Sequence, residues 1–209
     1  MKIGIFGDSS ASWRESNNWG YPSYCEIVRD YFSSDTINWY GANTGSLQRT
    51  IKNLTRHKNL DLYIIFHSAP DYIYCPGWKR DFSLDEIKQA ASDHSRLDWF
   101  EKTLKTHGSH CDNLKIKLKS WVEIWNDEKI MQLNFIAGLQ LFNKILQNKT
   151  VLHIPRSHVE KEIIKVGLFN DTLRAYVKVA GTHPTYLEKE QHVKVAKELI
   201  SIIGSYKLL

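Results

Sequence analysis

Hydrophobic and polar positions along this chain follow a pattern whose period changes several times. Residues 2–6 are a short apolar run closed by Gly7-Asp8-Ser9-Ser10, the way a strand buried on both faces gives way to a polar loop. Tyr24, Ile27, Val28, Tyr31 and Phe32 then recur at helical spacing, and residues 36–40 form a β-rich run leading into Gly41-Ala42-Asn43-Thr44-Gly45. Leu47, Ile51 and Leu54 mark a second helix face, and 60–66 is a third strand of the buried kind. The order so far is β-α-β-α-β.

Past His67 the pattern changes. Pro70, Pro76 and Gly77 interrupt the chain, and long helical stretches follow at 97–104 and 114–145. The segment from about residue 72 to 149 therefore reads as a helical insertion. Residues 150–154 restore a strand bounded by Pro155, 175–179 give another, and 187–203 form a closing amphipathic helix. Strands alternating with helices predict one α/β domain over residues 1–209. Its core is a mostly parallel five-stranded sheet covered on both faces, a three-layer α/β/α sandwich of flavodoxin-like type. Ligands of such sheets bind beyond the carboxyl ends of the strands. The loops to inspect are then 7–12, 41–46, 67–78, 155–158 and 180–185.

Composition narrows the class. The chain has 209 residues, 42% of them hydrophobic and 24% charged, which excludes a disordered, collagen-like or disulfide-scaffold protein. No apolar run approaches the roughly 18 residues of a membrane span. The start turns polar after six residues, too soon for a secretory signal. Cys25, Cys75 and Cys111 are odd in number and widely spaced, which fits neither a disulfide framework nor a paired-cysteine metal site. The expected location is a reducing one, the cytoplasm. A net charge of +5 is a mild excess that selects no partner by itself.

Chemistry concentrates in two of the loops. In Gly7-Asp8-Ser9 the glycine lets the strand turn sharply and present a hydroxyl at the mouth of the sheet. Ser9 is a candidate nucleophile, although Asp8 or Ser9 would equally cap the next helix. Gly181-Thr182-His183-Pro184 precedes the last helix and places His183 on the same rim, as a candidate base or as a solvent-facing loop histidine.

These residues, in this order, resemble the SGNH hydrolases, the GDSL esterase/lipase family. Phe6-Gly7-Asp8-Ser9 is similar to the family's first block. Asn43-Thr44-Gly45-Ser46 resembles the second, with Gly45 as the counterpart of a backbone oxyanion donor, and His183-Pro184 ahead of a helix resembles the last. The third block, Gly-x-Asn-Asp, falls on Ser68-Ala69-Pro70-Asp71. Proline stands where the family has its Asn, so Ser68 or His67 would have to substitute. The position three before His183 is Ala180 rather than Asp, so a backbone carbonyl or a carboxylate from elsewhere, such as Asp171, would orient the imidazole. The resemblance implies a Ser9/His183 dyad acting on a small ester, for instance an O-acetyl group on a carbohydrate, without metal or cofactor.

Other readings compete. No Gly-x-Gly-x-x-Gly and no Gly-Lys-Ser/Thr is present, which removes the phosphate-cradling folds. His107, His110 and Cys111 are close in sequence but match no common zinc spacing. In the insertion, Lys102, Lys105, Lys115, Lys117 and Lys119 interleave with Trp99, Phe100, Trp121 and Trp125. That pattern suits either a packed helical unit with a solvated basic face or a nucleic-acid strand held by phosphate contact and stacking. The insertion, starting just after the third-strand loop, could also serve as a lid over the site, and Trp78, Lys79 and Arg80 are either contacts for an acidic or sugar substrate or ordinary surface residues. A catalytically degenerate binding protein on the same scaffold is the alternative to a hydrolase.

Overall fold

The computed structural model describes residues 1–7, 11, 21–32, 36–41, 46–68, 72–75, 80–106, 113–125, 128–156, 158–171, 173 and 189–206. In chain order the elements are β1 (Ile3–Gly7), α1 (Tyr24–Phe32), β2 (Ile37–Trp39), α2 (Leu47–Arg56), β3 (Leu62–Phe66), β4 (Tyr72–Cys75) and β5 (Arg80–Ser83). They continue with α3 (Leu84–Ser92), α4 (His94–Thr106), α5 (Leu114–Trp125), α6 (Glu128–Ile145), β6 (Val151–Ile154), α7 (His158–Ile163), β7 (Leu168–Phe169) and α8 (Lys189–Tyr206).

Five strands form one all-parallel sheet in the order β2-β1-β3-β6-β7. Side chains of a strand alternate between faces, and here both faces are apolar. Ile3, Ile5, Leu62, Ile64, Phe66, Leu152 and Ile154 face α1 and α8, packing on Cys25, Val28, Val195, Leu199 and Ile203. On the other face Phe6, Tyr63, Ile65 and Val151 meet α2 and α6 through Leu47, Leu54, Leu139 and Phe142. Helices thus cover the sheet on both sides, as the alternation predicts.

Local chemistry starts the helices. Ser23 and Glu26 exchange hydrogen bonds across the first turn of α1, Glu26 accepting from the Ser23 N–H at 2.8 Å and Ser23 Oγ from the Glu26 N–H at 3.3 Å. Ser46 caps α2 by accepting from the Arg49 N–H at 3.2 Å. Ser83 and Glu86 make a full capping box at α3.

Three elements differ from expectation. The helical stretch 114–145 is two helices, and the second belongs to the sandwich, since Phe135, Leu139 and Phe142 of α6 pack on the sheet with α2. Gly138 permits this: a Cβ there would meet the Leu47 side chain. The inserted unit itself carries an antiparallel hairpin, β4 with β5, and has its own small core of Phe82, Ile87, Phe100, Leu104 and Leu118. Finally, the fifth strand of the sheet is Leu168–Phe169, too short to show any alternation. The expected strand 175–179 lies outside the described residues.

Candidate active site

The sheet order reverses between β1 and β3, because β2 follows β1 on one side and β3 returns on the other. A crevice opens beyond the carboxyl ends of strands at such a point. Gly7 ends β1 there with φ 133°, and a Cβ on it would run into the Phe66 carbonyl oxygen at the end of β3. Only glycine lets the chain leave the strand in this direction and lie so close to its neighbour. The next residues in the chain are Asp8 and Ser9.

A second contact joins two of the five loops named above, 7–12 and 41–46. The Gly41 N–H donates to the carbonyl of buried Ala11 at 3.1 Å, and the Tyr40 N–H donates to Ile5 at 2.7 Å. The chain at Ala11 and the chain at Gly41 therefore lie side by side.

At the end of β3 sit His67 and Ser68, each 2% exposed. The His67 N–H continues the strand pairing by donating to the Ile154 carbonyl at 3.1 Å. Ser68 Oγ is buried and has no hydrogen-bond partner among the described residues. Leaving a buried hydroxyl unpaired costs about 1–3 kcal/mol, a cost that a ligand's polar group would offset.

Behind His67 runs a buried relay. His67 Nε2 and His153 Nδ1 are 3.0 Å apart, and His153 Nε2 lies 3.0 Å from the Val166 carbonyl oxygen. A carbonyl only accepts, so His153 carries its proton on Nε2 and its Nδ1 accepts from His67 Nε2–H. Burial holds His153 down at about 4, against an ordinary 6.5, with the Val166 carbonyl opposing the shift. The imidazole is therefore neutral near pH 7. Phe169 stacks on it at 5.1 Å, and Phe142 meets His67 edge-on at 5.5 Å.

A third buried histidine, His192 in the first turn of α8, accepts the Tyr24 N–H through Nδ1 at 3.1 Å. It ties the start of α1 to α8 across 168 residues of sequence and stacks on Tyr24. Sequence reasoning passed over both His153 and His192. The signals were present: a lone polar residue inside the apolar run Val151-Leu152-His153-Ile154, and a histidine in helical phase with Val195, Ala196, Leu199 and Ile203.

Of the expected site residues, the structure brings His67 and Ser68 to the switch point beside Gly7. Asp8, Ser9, Gly45 and His183 lie outside the described residues, as do Ala180, Pro70 and Asp71. Asp171, a candidate orienting carboxylate, is exposed and pairs with Lys161 Nζ at 2.6 Å. His107, His110 and Cys111 are outside the described residues, among which no group of three metal-ligating side chains occurs. No helix is long and apolar enough to cross a membrane, again among the described residues.

In the insertion Phe100 packs against Phe82 at 4.4 Å, and Trp121 lies against the same cluster. Trp99 is exposed. Lys102, Lys117 and Lys119 face solvent, and Lys105 pairs with Glu101 at 3.2 Å. Phe100 and Trp121 thus serve the packing of the inserted helices.

Comparison with protein-family models, curated proteins and solved structures gave no match to this chain.

Proposed function

We propose that the chain is an SGNH-like serine hydrolase that cleaves a small ester, such as an O-acetyl group on a carbohydrate, through Ser9 and His183. The observation that carries the reading is the Gly7 turn at the β1/β3 switch point. Asp8 and Ser9 follow it in the chain, and sheets of this kind bind ligands beyond the strand carboxyl ends at such a switch point. His183 takes the Ser9 proton as Ser9 Oγ attacks the acyl carbonyl, and the alcohol leaves with that proton. Water activated by His183 then releases the acid. Backbone N–H groups of Ser9 and Gly45 hold the oxyanion, and the buried Ser68 hydroxyl adds a donor in place of the family Asn.

A fluorophosphonate probe and a short-chain aryl acetate test the dyad without knowledge of the natural ester. Labelling and turnover of the wild type, both lost in folded Ser9→Ala and His183→Ala, are expected. Folded wild type that neither labels nor turns over would overturn the hydrolase reading in favour of a binding protein.

A further inference from the structure

At the end of the molecule opposite the switch point, a cleft of about 440 Å³ opens between the last turns of α2 and α6. Its walls are Leu54, Leu141, Ile145 and Leu146, with Tyr63 behind them. Leu141 stands on the lip and is 40% exposed. The mouth is ringed by Lys58, Lys144 and Lys149.

The loop that forms one side is firmly held. The Lys58 carbonyl accepts from the Tyr63 hydroxyl at 2.6 Å and from Lys149 Nζ at 3.1 Å, and the Leu60 N–H donates to the same hydroxyl at 3.4 Å. No Asp or Glu lines the cleft, and among the described residues none of the three ammonium groups pairs with a carboxylate. Lys144 lies in the last turn of α6, where a helix end favours a cation. Lys58 and Lys149 lie beyond the helix ends, where that reason does not place them.

An apolar cleft with a cationic mouth and no counter-charge complements one kind of small molecule. We propose that it is a binding site for a single anionic amphiphile, a carboxylate with a medium-length hydrocarbon chain, whose head meets Lys58 and Lys144 and whose chain lies on Leu141 and Ile145. The volume falls within the roughly 300–1,000 Å³ usual for small-ligand sites. A concave cleft receives one molecule, whereas a bilayer would need a flat or convex apolar face. The site is independent of the hydrolase reading, because none of its residues lies at the strand carboxyl ends.

Titration calorimetry of the full chain with sodium decanoate, below its micelle threshold, tests the site. One-to-one saturable binding below about 1 mM is expected, weakened at least about tenfold in Lys58→Ala/Lys144→Ala and weakened again by added salt. Leu141→Asp should also weaken it, by repelling the head and wetting the lip. All of these side chains are exposed, so unchanged melting curves would show that the variants fold. Absence of saturable binding would overturn the proposal, as would equal affinity in the lysine double variant or equal affinity for decyltrimethylammonium. Binding to phosphatidylglycerol vesicles without binding to decanoate would also overturn it, in favour of a membrane surface.

Discussion

His67 Nε2 and His153 Nδ1 stand 3.0 Å apart in the interior, one at the end of β3 and the other within β6. Because neutral His153 donates its one ring N–H, on Nε2, to the Val166 carbonyl, the donor at the shared contact is His67. A buried pair with the His153 tautomer fixed gives a histidine at the switch point a defined orientation.

The pair sets a pH dependence. Unfolded His153 binds a proton as pH falls through about 6.5, whereas the folded protein resists until about 4, so the unfolded state holds more protons between these values. Stability is therefore fully present above about pH 6.5 and falls toward pH 4, by up to about 3 kcal/mol. Urea unfolding across this range should show the decline in the wild type. His153→Gln, which cannot titrate, should give a flatter curve, and parallel curves would count against the relay.

Gly7→Ala should be among the most damaging single-atom-group additions in the chain. The backbone there has φ 133° and the new methyl would meet the Phe66 carbonyl. A loss of about 3 kcal/mol or more in unfolding free energy is expected. A loss below about 1 kcal/mol would mean that β1 and β3 do not approach as described.

His192→Leu keeps the ring's bulk approximately but removes the acceptor of the Tyr24 N–H. A buried orphan donor costs about 1–3 kcal/mol, and the midpoint of urea unfolding should fall accordingly. Amide exchange at Tyr24 should rise with it.

Phe100→Ala empties the centre of a cluster that shares no residue with the two that flank the sheet. A cost of about 3–5 kcal/mol is expected, borne locally. Hydrogen exchange should quicken in α3 to α5 while β1, β3 and β6 stay protected. Uniform loss of protection would show the insertion and the sandwich unfold as one unit.

Much of the scaffold was legible because burial on both faces writes itself into composition. Residues such as Ile64, Ile65 and Phe66 cannot be apolar in succession on a half-solvated strand, and the helical phase of Leu47, Ile51 and Leu54 has only one amphipathic solution. The Gly7 turn was legible for a similar reason, since a glycine between an apolar run and Asp-Ser marks a change of direction. What escaped was anything decided by partners distant in sequence. β7 is two residues long and exists only because Leu152 and His153 offer it pairing. The phase of α6 alone does not say whether its apolar stripe meets the insertion or the sheet.

Sequence alone determined the alternation of the described strands and helices and the glycine turn, because local periodicity and residue type are properties of short segments. Tertiary structure alone decided that His67 meets His153, that His192 caps α1, and that three lysines ring an apolar cleft. Each of those joins residues from different segments, up to 168 apart in sequence, and a contact of that kind is a consequence of packing rather than of spacing.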